Sequence, residues 1–182
     1  MSVTLTPKGV AYLGMEEGLT LESYRDTGNV WTWALGVTDA SGHKVSRYID
    51  NPQTLEKALE VSIWLIREKY LPAVEKAFVA DLNEAQTAAA LSFHWNTGAI
   101  SRAQWVKDFN SGNRTAAYSG LLQWTSRGLL EARRKREREL FFNGTWPVDM
   151  KTNIYPVSKP SHRPLIAKAK RVDILPELKK LI

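Results

Sequence analysis

A chain of 182 residues that is 43% hydrophobic and 24% charged can bury one compact core, and it lacks the bias of disordered, collagen-like or disulfide-stapled sequences. Having no cysteine, it has no disulfide, no thiolate metal ligand and no thiol nucleophile. Its net charge of +6 sits at one end: from Trp146 onward eight Lys/Arg face three Asp/Glu, a net of +5, so the body is near neutral and no nucleic-acid partner is expected.

No apolar run reaches the roughly 18 residues of a membrane span. The first stretch is broken by Pro7-Lys8-Gly9 and ended by Glu16-Glu17, unlike a signal peptide, so the chain is expected to stay in the cytoplasm unless a separate factor releases it. Thr6-Pro7 supplies an N-cap hydroxyl and a ring-fixed φ, predicting a short helix that ends at Gly18 with Glu17 its last residue. From 19 to about 49, Tyr24, Val30, Trp31, Trp33, Leu35 and Val37 favour strands. Asp26-Thr27-Gly28-Asn29 and Asp39-Ala40-Ser41-Gly42 are turn chemistry, so a small antiparallel sheet of two or three strands is expected.

Helical periodicity resumes at Thr54 and is divided at Pro72. Further helices are predicted from Asn83 to Gly98, over 102–110, over 115–125, and over 129–143 with a stop at Gly144. Five of the eight prolines fall in 147–182, which predicts extended chain with short helical pieces rather than a second globular domain. The layout is α+β: a body over 1–146, with a small antiparallel sheet lobe at about 19–50 and a larger helical lobe. A cleft is available between those lobes, and a basic, Pro-containing extension covers 147–182.

A glycosidase needs two carboxyl groups in unlike environments, one protonated and one ionised. Glu17 at a helix end and Asp26 on the following hairpin meet that need, and Thr32 on the next strand is placed to hold a water against Asp26. Glu17-Gly18, Tyr24-Arg25-Asp26, and Thr32 with Gly36 four beyond it resemble the signature of the phage T4-type lysozymes, glycoside hydrolase family 24. In that family Glu, Asp and Thr are separated by eight and by five residues, as here. The stretches Leu82-Asn83-Glu84-Ala85-Gln86 and Ala90-Leu91-Ser92-Phe93-His94-Trp95-Asn96-Thr97-Gly98 are similar to the family's groove-closing helix. Arg133-Arg134, Glu137 and Leu140-Phe141 up to Gly144-Thr145-Trp146 are similar to its C-terminal helix. The resemblance covers roughly residues 6 to 146.

It implies a lysozyme-like catalytic domain in which Glu17 is the general acid, Asp26 stays ionised, Thr32 orients the attacking water, and the anomeric configuration inverts. Arg133 falls where the family has an Arg facing the catalytic Glu, and Asn96 falls at the substrate groove. The resemblance also implies an endolysin of monomeric habit that cuts the β-1,4 bond between N-acetylmuramic acid and N-acetylglucosamine of peptidoglycan. It would act in the periplasm and wall after release from the host cytoplasm by a holin-type pore. A lytic transglycosylase, needing only the Glu, and a non-catalytic wall-binding module are the alternatives. Two departures are local: Thr32-Trp33-Ala34-Leu35-Gly36-Val37 stands where the family reads Thr-x-Gly-x-Gly-His, so Val37 replaces a His that is structural in the family, and Ala34 implies a slightly altered strand path.

Trp33 is a candidate sugar contact beside its alternative as core area. Glu16 reads as solvated, and the Arg/Lys/Glu run over 131–139 as a solvated helix face. His43, His94 and His162 have no metal-ligand spacing, and neither metal nor cofactor is expected. Ile174, Leu175, Leu178, Leu181 and Ile182 recur at helical spacing after Lys168, Lys170 and Arg171. They either pack back on the helical lobe or form a basic amphipathic element for an anionic envelope surface.

Overall fold

The structure, a computed structural model, describes residues 4–182. In chain order the elements are α1 (Pro7–Glu17), β1 (Thr20–Arg25), β2 (Trp31–Ala34), β3 (Val37–Thr38), α2 (Leu55–Leu65), α3 (Leu71–Ala77), α4 (Glu84–Thr97), α5 (Gln104–Asn110), α6 (Arg114–Leu121), α7 (Glu131–Asn143), β4 (Thr152–Ile154), β5 (Lys170–Val172) and α8 (Leu175–Leu181). The chain has an α+β architecture, a small antiparallel sheet with a larger helical part. None of the helices among the described residues is long and apolar enough to cross a membrane.

Two compact units share these elements. One takes the chain up to Leu13 together with Arg67–Asp149 and is helical. Its helices start and stop where local chemistry dictates. Asn83 and Gln86 cap each other across the first turn of α4 at 2.9 and 3.0 Å, and Gly98 and Gly144 take the left-handed conformation that ends α4 and α7. The core is aromatic: Trp105 is fully buried, edge-on to Phe93 at 5.3 Å and to Phe141 at 5.1 Å.

The run over 131–139 departs from its expected solvation. Arg133, Arg134 and Glu137 are buried, because α7 lies against α4 and turns this face inward. Glu137 accepts from Arg133 Nε at 2.9 Å, from Ser92 Oγ at 2.7 Å and from Arg134, while Arg134 Nε donates to the Trp124 carbonyl at 2.9 Å. Only the opposite face keeps the solvated pattern, as in the exposed Lys135–Glu131 pair.

The other unit joins Gly14–Ile66 to Met150–Ile182. Its sheet runs β1-β2-β3, antiparallel throughout, with Tyr24 opposite Thr32, Arg25 opposite Trp31 and Trp33 opposite Val37. The segment after Met150 belongs to this unit and packs back through α8 onto α2, within the helical stretch expected from Thr54 onward. β4 and β5 pair with Thr152 opposite Val172, and Leu19 bridges to Ile154. Ile174 and Leu178 are fully buried, the latter on a helix that packs against α2, while Leu175 and Leu181 are half-buried and Ile182 is exposed. Lys168, Lys170, Arg171, Lys179 and Lys180 lie exposed on the same segment. Prolines excluded long regular elements here but left room for three-residue strands.

Ala34 carries φ +55. This is a backbone shape that favours glycine, and alanine holds it with strain.

Candidate active site

Glu17 is the last residue of α1, and Gly18, at φ +71, turns the chain directly into the sheet. A left-handed residue here follows from the helix stop, and glycine supplies it without a Cβ penalty. Asp26 heads the tight turn between β1 and β2: its Oδ1 accepts the Val30 N–H at 2.8 Å, and its carbonyl accepts the Asn29 N–H at 2.9 Å. This is the side-chain turn chemistry that Asp favours. Thr32, buried on β2, donates its hydroxyl to the Val30 carbonyl at 3.2 Å and lies 3.5 Å from Asp26 Oδ2. The hairpin thus brings Asp26 and Thr32 together, with one carboxylate oxygen engaged by the turn and the other turned to the hydroxyl.

Glu17 lines a cavity of about 250 Å³ with Tyr24, Leu35 and Gly36. Tyr24 is a member that the sequence reading left outside its candidate set. Its hydroxyl is pushed up to about 12 by burial first, then by the negative charges of Asp26 and Glu17 and by Tyr155. The phenol consequently sits near both carboxylates as a neutral hydrogen-bond donor. The signal was available: in Tyr24-Arg25-Asp26 the two-residue period puts Tyr24 on the Asp26 face of β1.

This raised value has a sign. The stability it confers is complete below pH 10, where an unfolded tyrosine is protonated, and is lost as pH rises toward 12. Urea unfolding between pH 9 and 12 is expected to show wild type losing stability relative to Tyr24→Phe across that window. Parallel profiles for the two proteins would contradict the assignment.

Trp33 is not a groove residue. It is 0% exposed, its Nε1 donates to the Leu21 carbonyl at 3.0 Å, and its ring lies 4.0 Å from that of Tyr48. Alternation identified its face of the strand but not what covers that face. Trp31 is the more accessible of the pair, with the Arg25 guanidinium 4.0 Å over its ring. Among the supporting candidates of the helical unit, Arg133 is buried and donates to the Ser92 carbonyl at 2.9 Å and its hydroxyl at 3.1 Å. Asn96 is exposed, accepts from Arg134, and lines a pocket of about 410 Å³ with Gln123 and Trp124. His43 bonds the Tyr48 hydroxyl at 2.9 Å, and burial lowers the pKa of both His43 and His94. Among the described residues, no three His, Asp or Glu converge as a metal site.

Comparison with known proteins bears on this geometry. The family model described as phage lysozyme matches residues 14–137. The endolysin of Bacillus phage B103 is 25% identical over 175 residues, which take in 86% of this chain and 64% of that protein, so the chain spans less than two thirds of its relative. Among solved structures, the endolysin from Escherichia coli O157:H7 phage FAHEc1 superposes with a TM-score of 0.70 at 25% identity, covering 81% of this chain and 98% of its own. A mutant of P22 lysozyme gives 0.63 at 28% identity, covering 77% and 99%. The segment from Met150 onward lies beyond the family match.

Proposed function

Because the chain belongs to the phage lysozyme family, we propose that it is an endolysin that hydrolyses peptidoglycan for host lysis, cutting the β-1,4 bond between N-acetylmuramic acid and N-acetylglucosamine. The observation that carries this reading is Glu17 at the C-terminal end of α1, lining a cavity, with Asp26 and Thr32 hydrogen-bonded on the adjoining hairpin. Glu17 protonates the glycosidic oxygen as the C–O bond breaks. Asp26 remains ionised and takes a proton from a water that the Thr32 hydroxyl helps to hold. That water attacks the anomeric carbon opposite the leaving group, so the configuration inverts. The Asp26 oxygen facing Thr32 supports this division of labour, since its other oxygen is bound to the turn. Asn96 contacts the glycan from the 410 Å³ pocket, and Arg133 acts through the ionic group it forms with Glu137. The protein works as a monomer.

Mass analysis of fragments released from purified wall tests the reaction. Reducing muramic ends carrying one added water are expected, initially as the inverted anomer. Anhydro ends would mean a transglycosylase, which needs the Glu alone, and an uncut wall would leave only a binding module.

Access to the wall from the cytoplasm depends, in this reading, on a pore made by a separate protein. Expression of the chain alone is expected to leave cells intact, and co-expression with a pore former to lyse them within minutes of pore opening. Spontaneous lysis without the pore former would contradict it.

A further inference from the structure

The cavity beside Glu17 has a wall that does not come from the part of the chain matched to the family. Tyr155, Pro164 and Ile166 line it, all from the segment after Met150. Their position is fixed by backbone bonds next to the catalytic residues. The Leu19 N–H donates to the Asn153 carbonyl at 2.8 Å and the Tyr155 N–H to the Leu19 carbonyl at 2.9 Å, two residues from Glu17. The Arg25 N–H donates to the His162 carbonyl at 2.7 Å, and the Arg163 guanidinium donates back to the carbonyls of Arg25 and Asp26.

The Tyr155 ring lies against the turn after Glu17: a Cβ built on Gly18 would come 2.4 Å from its Cε2. Gly18 is therefore required by this ring as well as by its φ. Ile166 is 67% exposed at the cavity edge, so its aliphatic surface is open to a ligand.

We propose that Tyr155 and Ile166 are specificity-determining residues that receive one N-acetylated amino-sugar ring beside Glu17. The apolar C–H face of the pyranose packs on the tyrosine ring and the isoleucine, and the cavity is on the scale of a single ring. This rests on the muramidase reading for its substrate class, but its test does not require turnover. A ring and an aliphatic side chain at a partly open wall recognise an apolar sugar face, whereas a polar wall would recognise only hydroxyls.

Binding of a soluble N-acetylglucosamine tetramer, followed by isothermal titration, is measured for wild type, Ile166→Ala, Tyr155→Ala and Tyr155→Phe. The expected result is a 5- to 30-fold weaker Kd, as an order-of-magnitude estimate, for both alanine variants and near-wild-type binding for Tyr155→Phe, which keeps the ring. Ile166→Ala should keep the wild-type Tm, because its side chain is mostly in solvent. Unchanged Kd in Ile166→Ala and Tyr155→Ala overturns the proposal, as does a wild type that does not bind the tetramer. Equal losses in Tyr155→Phe and Tyr155→Ala would also overturn it, by assigning the effect to the hydroxyl. Failure of the hydrolytic reading shows separately, as wall that wild type leaves uncut.

Discussion

Glu17→Gln is expected to clear outer-membrane-permeabilised bacteria about 10²- to 10⁴-fold more slowly than wild type, the range by which a positioned general acid accelerates bond cleavage. The substitution keeps the size of the side chain and removes only the transferable proton. Glu17 is half-buried at a helix end rather than in the core, so the fold has no reason to fail with it. Circular dichroism and Tm should therefore stay close to wild type while turbidity persists. Asp26, Thr32 and Tyr24 remain in place in this variant, so the residual rate reports what binding and water activation achieve without the acid. Equal clearance by the two proteins would remove Glu17 from the mechanism.

The largest loss of stability is expected elsewhere, at Glu137→Ala. Glu137 is fully buried and is the common acceptor for Arg133, Arg134 and Ser92. Its removal takes from Arg134, 0% exposed, the carboxylate it is paired with, and from Arg133 one of its partners, which costs about 3–5 kcal/mol. For a chain of this length that corresponds to a fall in Tm of about 6–20 °C, read by thermal unfolding. Removal of an exposed partner such as Glu131, which faces Lys135 at the surface, should cost no more than about 1 kcal/mol. A Tm for Glu137→Ala within a degree or two of wild type would mean that the ionic group contributes nothing.

These two residues mark what was legible in the sequence. The place of Glu17 at a helix end was visible because its signals are local: a helix start at Thr6-Pro7, a glycine stop at Gly18, and a turn at Asp26. The stops at Gly98 and Gly144 were legible for the same reason. Glu137 was misread because spacing of charges three and four apart looks the same on a solvated face and on one folded against Ser92 of another helix. Trp33 failed similarly, since a strand's period reports two faces but not which one a neighbour such as Tyr48 will cover. The least legible part was 150–182. Its strands are three residues long, and their order depends on Leu19, Arg25 and Asp50, more than a hundred residues away. No local pattern encodes such pairing.

That distant pairing has a consequence for the timing of synthesis. A chain emerging from a ribosome presents Glu17, Asp26 and Thr32 early, while the strand bonding Leu19 and the side chains of Ile174 and Leu178 are still untranslated. Contacts of such sequence separation close slowly and only after the intervening chain exists. The unit bearing both acids therefore closes on its last strands and helix only after residue 178 leaves the exit tunnel, so a polypeptide ended before Met150 would lack the bonds that Asn153 and Tyr155 make to Leu19.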